Sequence, residues 1–122
     1  MLPVLRCLIV DDNASFLDAS RSLLERQGLS VLGVASTGAE ALRLAAELAP
    51  DLILLDVDLG EENGFAVARQ LTGAGGATTN VILISTHPED DFAELLADNP
   101  AVGFIAKSDL SVQAIERLLD GR

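Results

Sequence analysis

Four polar groups each follow directly on a short apolar run. Asp11-Asp12 follows Cys7-Leu8-Ile9-Val10, and Asp56 follows Leu52-Ile53-Leu54-Leu55. Ser85-Thr86 follows Val81-Ile82-Leu83-Ile84, and Lys107 follows Val102-Gly103-Phe104-Ile105-Ala106. If the runs are parallel strands, all four groups lie at one rim of one sheet. Three carboxylates, a hydroxyl and an ammonium then converge. Two carboxylates about 4 Å apart repel by about 4 kcal/mol at an effective dielectric near 20. Left bare, such a cluster raises a pKa or destabilises the fold. An oxygen-rich site suits Mg²⁺, which takes one or two carboxylates and keeps several waters. Asp12 alone has a second reading, because beside Asn13 it could simply open a helix. The whole constellation is harder to explain as capping, since four separate strands would have to end this way.

The elements that must position these groups are legible in the hydrophobic pattern. Five apolar runs recur, the fifth being Val31-Leu32-Gly33-Val34. Each is too short for a typical helix, and none alternates with polar residues. Both faces of each strand are therefore expected to be buried, as in a parallel sheet covered by helices. Helical spacing fills the gaps. Phe16, Leu17, Leu23 and Leu24 share a face, with Ser20 between them. Thr37 and Glu40 form a capping-box pattern before Ala41, Ala45 and Leu48. Asn63 can cap a helix carrying Phe65, Ala68 and Leu71. Pro88 suits a first helical turn, followed by Glu89, Asp90 and Asp91 at the positive end of the dipole. Ser111 can cap the last helix, with Leu110 and Ile115 as a hydrophobic staple and Gly121 past its end. Thr72 to Ala77 reads as a flexible connection. The order is β-α five times, which predicts a doubly wound α/β sandwich with a five-stranded parallel sheet. Its ligand crevice is expected beyond the carboxyl ends of the strands.

Composition narrows the function. The 122 residues make one domain of ordinary size. One cysteine, Cys7, excludes an intramolecular disulfide and a cysteine-rich zinc module, and its place in a strand predicts a buried, inert thiol. Eight basic residues against 19 acidic ones give a net charge of −11. That serves neither direct nucleic-acid binding nor an anionic membrane surface, both of which need Lys and Arg. No apolar run approaches the length of a membrane span. The apolar N-terminus is interrupted by Arg6 and Asp11-Asp12, so it is not read as a signal peptide, and a cytoplasmic protein is expected.

Taken with their spacing, these motifs resemble one family. Leu8-Ile9-Val10-Asp11-Asp12, Leu54-Leu55-Asp56-Val57-Asp58, Gly64, Ile84-Ser85 and Phe104-Ile105-Ala106-Lys107 are similar to the receiver domain of bacterial response regulators over residues 1–122. Asp56 lies 44 residues after Asp12, Ser85 lies 29 after Asp56, and Lys107 lies 22 after Ser85. The resemblance implies a flavodoxin-like (βα)5 fold of strand order 2-1-3-4-5. It implies that Asp56 accepts a phosphoryl group from a histidine kinase or phosphotransfer protein. Asp12 would be a direct Mg²⁺ ligand, Asp11 one acting partly through water, and the Asp58 carbonyl would complete the metal site. Ser85 would hydrogen-bond the new phosphate and Lys107 would pair with it. Phe104 matches an aromatic switch position. Ser85 moving toward the phosphate would vacate a space into which the Phe104 ring turns. That predicts a switch face from Glu89 to Leu119, formed by the fourth helix, fifth strand and fifth helix and suited to homodimerisation or partner docking. The chemistry is sound in itself: a carboxylate can form an acyl phosphate, and phosphoryl transfer needs positioning and charge neutralisation above all.

Three departures from the family pattern stand out. Ser108 follows Lys107 where many receivers have proline, and a cis peptide is costly without one. Gly60 replaces a frequent proline, which predicts a looser loop after Asp56. Thr86 stands where Ala or Gly is usual, which predicts narrower access to the phosphate. The Lys107-Ser108 form and the final segment look most like receivers of helix-turn-helix regulators, which would place a DNA-binding output domain outside these residues. His87 reads as a loop residue beside Pro88, with a second reading as a group that tunes hydrolysis with Asp58. Phe104 reads as core or as switch. Two other functions compete: a pseudo-receiver that only docks partners, and a small Mg²⁺-dependent phosphatase. The full set of acids, hydroxyl and lysine opposes the first. Phosphatases of the haloacid-dehalogenase type carry an Asp-x-Asp motif after the first strand, whereas Asp56-Val57-Asp58 follows the third. The receiver reading is not that of a metabolic enzyme; it catalyses its own phosphorylation and dephosphorylation.

Overall fold

A computed structural model describes residues 5–74 and 79–120. Five strands form one sheet: β1 (Arg6–Val10), β2 (Ser30–Ala35), β3 (Leu52–Asp56), β4 (Asn80–Ser85) and β5 (Gly103–Ala106). Every neighbouring pair is parallel, and the order is β2-β1-β3-β4-β5. The expected topology is therefore observed. The strands β1, β3 and β4 are buried on both faces, as their unbroken apolar runs require. The edge strand β2 keeps Leu32, Gly33 and Val34 half-buried, because an edge has a covering helix on only part of its surface.

Successive side chains of each strand point to opposite faces, so the sheet feeds two cores. Leu8, Val10, Ile53, Leu55, Val81, Leu83 and Phe104 pack with residues of α2 (Gly38–Leu48) and α3 (Gly64–Ala74). Cys7, Ile9, Leu54, Ile82, Ile84 and Ile105 pack with α1 (Ala14–Arg26) and α5 (Val112–Asp120). The short α4 (Ala93–Ala97) joins the first core through Phe92, just before it, and Leu96. Helices cover both faces, so the fold is the expected doubly wound α/β sandwich. Cys7 is fully buried, and that burial pushes its thiol up to about 12, which makes it inert. No helix among the described residues is long and apolar enough to cross a membrane.

The caps fall largely where the sequence places them. Thr37 Oγ1 accepts from Glu40 N at 3.1 Å, and Glu40 Oε1 accepts from Ser36 N at 2.9 Å. The capping box is thus closed one residue earlier than the usual reciprocal bond. Asn63 Oδ1 accepts from Phe65 N, and Ser111 Oγ accepts from Ala114 N. Gln27 Oε1 accepts from Val112 N at 2.8 Å and ties the end of α1 to the start of α5. Asn13, not Asp12, caps α1: its Oδ1 accepts from Phe16 N at 3.0 Å. Asp12 is thereby released from the capping role.

Two expectations need correction. Thr72, Gly73 and Ala74 belong to α3 and are not a flexible connection; the buried Leu71 anchors the last turns of the helix. Residues 75–77, like Gly121, lie outside the described residues. Pro88 also does not sit in the first turn of a long helix. Its backbone is extended (ψ 158°), Glu89–Phe92 make a single 3-10 turn, and α4 has only five residues. Pro100 explains the shortness, since the residue before a proline is pushed out of helical geometry. Asn99 Nδ2 meanwhile donates to Phe65 O at 3.1 Å and pins the exit of the segment to α3.

Ala49 ends α2 in the left-handed region, at φ 46°. Arg6 Nη2 holds the turn by donating to Leu48 O and Ala49 O at 3.0 and 2.6 Å. Left-handed geometry costs an alanine energy that a glycine does not incur. Ala49→Gly is therefore expected to stabilise the fold by about 0.5–1 kcal/mol, net of glycine's unfolded-state entropy. A higher urea midpoint at unchanged slope would show this, and a lower one would refute it.

Candidate functional site

Topology brings the site together. The chain leaves β1 toward β2 on one side and enters β3 on the other, so the ends of β1 and β3 flank the switch in strand order. Asp11 N donates to Ala35 O, which extends the β1–β2 pairing one residue past the strand. Asp56 is in register with Ile84, and Ser85 with Ala106, the residue before Lys107. Asp11, Asp56, Ser85 and Lys107 thus reach the same rim, as expected. Asp11, Asp56 and Ser85 are buried, and Asp12 is exposed at the mouth.

One carboxylate oxygen from each of Asp11, Asp12 and Asp56 lies within 4.8 Å of the others. Lys107 Nζ stands 2.5 Å from Asp11 Oδ2 and 3.5 Å from Asp56 Oδ2. Lys107 is the sole lysine of the chain. Asp11 Oδ1 accepts from Asn13 N at 2.8 Å, and Asp56 Oδ1 accepts from Asp58 N at 3.2 Å. Asp11 Oδ2 is buried and has no hydrogen bond of good geometry, only the close ammonium. Burial, followed by the Asp11 charge, pushes Asp56 up from the ordinary 3.8 to about 6, against the opposing pull of Lys107 and of the Asp58 N–H. A buried carboxylate oxygen paired only with an ammonium, and a carboxylate whose ionisation burial opposes, are both relieved by a hard dication. An all-oxygen donor set is what Mg²⁺ or Ca²⁺ takes. The residues present fit such an ion.

The loop after Asp56 is built around three residues. A Cβ on Gly64 would collide with Asp56 O and come within 2.7 Å of Val57 Cα, so only glycine lets α3 start against the end of β3. Asp58–Leu59 and Glu62–Asn63 pair as a two-residue antiparallel ladder. Gly60, at φ 60°, opens the turn between them, at the position where a type II′ turn calls for glycine. The loop expected to be loose is thus a hydrogen-bonded hairpin, and a proline could not adopt this φ. Glu62 Oε1 accepts from Gly38 N at 2.9 Å, so the hairpin is tied to the start of α2. Sequence reasoning missed Glu62, whose partner lies 24 residues away and carries no local signal.

The other predicted residues lie on the turns after β3 and β4, on β5 and just after it. Ser85 Oγ accepts from His87 N at 3.0 Å, which closes the turn leaving β4. Thr86, His87 and Asp58 are exposed. The Lys107–Ser108 peptide is trans, like every described peptide bond. Phe104 is buried and its ring lies 5.8 Å from that of Phe92, which in turn lies 5.7 Å from Phe65 and 6.4 Å from the edge-on His87. The ring expected to turn inward therefore already occupies the core, because the Phe92 and Phe65 rings offer it an aromatic pocket there. A groove of about 390 Å³ beside Phe104, Arg117 and Leu118 lies on the expected output face, away from the carboxylates. Phe16, assigned from sequence to the α1 core face, is half-buried with its ring centroid 4.3 Å from Lys107 Nζ. Its position, four residues after Asp12 and in the first turn of α1, was the available signal.

Comparison with known proteins agrees with this geometry. The family model of the response regulator receiver domain matches residues 7–118. The chain belongs to the response regulator receiver domain family. The receiver is 31% identical to the response regulator GacA of Pseudomonas aeruginosa, over 98% of this chain and 57% of that protein. It superimposes on a two-component response regulator of the LuxR family from Aurantimonas sp. SI85-9A1 with a TM-score of 0.86, at 30% identity, covering 98% of this chain and 88% of that one. A response regulator from Burkholderia pseudomallei, solved with a phosphorylated aspartic acid, a calcium ion and citrate, gives a TM-score of 0.79 at 25% identity, covering 93% and 65%. The receiver spans about half the length of the curated relatives it matches.

The raised Asp56 pKa has a thermodynamic consequence. The folded state holds this proton more tightly than the unfolded chain does, so the stabilisation is complete below about pH 4 and is lost as pH rises through about 6. With a chelator present, Asp56→Asn should therefore gain stability over the wild type as pH rises from 4.5 to 7. Urea midpoints across that range measure the gap. A gap that does not widen would show that Asp56 is not held back from ionising.

Proposed function

We propose that this receiver accepts a phosphoryl group on Asp56 from a phosphohistidine of a histidine kinase or phosphotransfer protein. The observation that carries the reading is the Asp56 carboxylate at the floor of the rim, 3.5 Å from the sole lysine and grouped with two further carboxylates. In the transfer, one Asp56 Oδ forms a bond to phosphorus as the bond from phosphorus to the imidazole nitrogen breaks. The bonding pair leaves with the imidazole, so Asp56 needs no base. Asp11, Asp12, Asp56 and the Asp58 carbonyl would hold Mg²⁺, which when bound neutralises charge on the phosphoryl oxygens. Lys107 supplies the protein's own positive charge, and the Ser85 hydroxyl offers a hydrogen bond to the new phosphate. Asp58, Thr86 and His87 are exposed, and in this reading they would tune the access of water to the acyl phosphate.

The output runs from Ser85. Its hydroxyl holds the turn to His87, and the His87 ring meets Phe92, which also packs on Phe104. A Ser85 drawn to the phosphate releases that turn and repacks Phe92 against Phe104, so the change reaches α4, β5 and α5. That face would dock a second copy or an output domain of a transcription regulator in the cytoplasm. Phosphorylation biases this equilibrium only by its differential interaction with the two states.

Mass spectrometry after incubation with acetyl phosphate and Mg²⁺ tests the assignment. One phosphoryl group is expected on the wild type and none on Asp56→Asn, whose amide is no competent nucleophile. An unlabelled wild type would leave a docking module, and turnover of an unrelated phosphomonoester would indicate a phosphatase. Full labelling of Asp56→Asn would place the acceptor elsewhere. The metal is tested separately by thermal melts. Mg²⁺ at 100 times its dissociation constant should stabilise the wild type by about 2.7 kcal/mol. Asp12→Asn should respond much less, and an equal response would remove Asp12 from the metal site.

A further inference from the structure

We propose that Phe16 is a positioning residue for Lys107, its ring holding the ammonium at the rim while the carboxylates change partners. This inference rests on the phosphotransfer reading above and adds a residue that acts through the lysine. Its placement is fixed by the helix start: Phe16 N donates to Asn13 Oδ1, which sets the first turn of α1 beside the site. The Phe16 ring centroid lies 4.3 Å from Lys107 Nζ, well inside cation–π range. The Lys107 side chain is only 13% exposed, so little of the attraction is lost to water.

The ammonium therefore has three partners: Asp11 Oδ2, Asp56 Oδ2 and the ring face. Two of the three are the carboxylates that a metal ion or a phosphoryl group would engage. When either carboxylate gives its charge to another partner, its hold on Lys107 weakens. The ring does not change its charge in any step, so its attraction persists throughout. A lysine stem is long and flexible, and a constant third partner restricts it to the region where phosphoryl charge arrives. A ring that merely filled space on α1 would be replaceable by any apolar side chain of similar volume.

That contrast defines the experiment. Because Lys107 is the sole lysine, protein labelled with ¹³C,¹⁵N-lysine gives one set of lysine side-chain signals. The protons on its Cε should be shifted upfield by the ring in the wild type and in Phe16→Tyr, and should return toward solvent-exposed values in Phe16→Leu. With acetyl phosphate and Mg²⁺, Phe16→Leu should be labelled about fivefold more slowly than the wild type, equivalent to about 1 kcal/mol at 1.36 kcal/mol per decade, while Phe16→Tyr recovers most of the rate. Should Phe16→Leu lose its fold in urea titration, Phe16→Met carries the same comparison. Labelling of Phe16→Leu at the wild-type rate, or Phe16→Tyr as slow as Phe16→Leu, overturns the proposal. So does a wild-type lysine signal without the upfield shift. A wild type that takes no phosphoryl group overturns the phosphotransfer reading instead, and the lysine signals still decide whether the ring holds the ammonium.

Discussion

Like-charge crowding at the carboxyl edge of the sheet is the constraint around which the molecule is arranged. Asp11 and Asp56 are buried side by side because β1 and β3 are neighbours, and those strands are neighbours because the sheet reverses its order there. One ammonium cannot neutralise two buried carboxylates and a third at the mouth. The residual charge has to go somewhere, and the site offers two outlets: a proton on Asp56 or a hard cation among the carboxylates. The elevated Asp56 pKa is the first outlet in view. The second is the cation proposed above, and a phosphoryl group on Asp56 would raise the demand for it by adding negative charge. The same electrostatic excess thus accounts both for the proton affinity of Asp56 and for the fit of the site to a hard cation.

Such a cluster needs a stiff frame, and the surroundings divide sharply in this respect. The acceptor strand ends against Gly64, whose missing side chain lets α3 press on the Asp56 carbonyl. The hairpin from Asp58 to Asn63 is closed by its own ladder and tied to α2 through Glu62. On the opposite side the segment between Pro88 and Pro100 has one 3-10 turn and a five-residue helix, with Leu95 half exposed. It is held chiefly by the Phe92 ring and by the Asn99 bond to α3. The proposed switching would suit this division, since only the more lightly held segment can repack at low cost.

The parts of this arrangement that were legible in sequence are those set by local rules. Unbroken apolar runs identify the strands because burial on both faces leaves no room for polar residues. Asn63, Thr37 and Ser111 mark helix starts because their short side chains satisfy nearby N–H groups. The site residues were legible because each ends a strand, and strand ends in a parallel sheet share a rim. What escaped notice depends on long-range packing. Glu62 meets Gly38 across 24 residues, and Phe16 on α1 meets a lysine that follows β5. The inward Phe104 ring depends on Phe92 and Phe65, which lie on two other elements. The short α4 could have been read from Pro100, but the acidic first turn after Pro88 looks like the start of a longer helix.

The chain carries its only lysine where an arginine would be a poor substitute. A guanidinium is a planar fork that binds a carboxylate in a bidentate and geometrically fixed manner. Between Asp11 and Asp56 such a fork would lock the site in its resting arrangement and compete with any cation for both carboxylates. An ammonium is a compact point charge with three rotatable donors, able to lean on Asp11 in one state and on a phosphorylated Asp56 in another. Its weakness is the freedom of its stem, which the Phe16 ring and the walls of the site restrict. The seven other cations of the chain are all arginines. Four of them, Arg6, Arg21, Arg43 and Arg69, meet backbone oxygens or carboxylates away from the rim, most of them at the surface. Among the described residues the ammonium at the rim is thus the charge placed between two buried carboxylates, where a mobile point charge suits a site proposed to exchange partners.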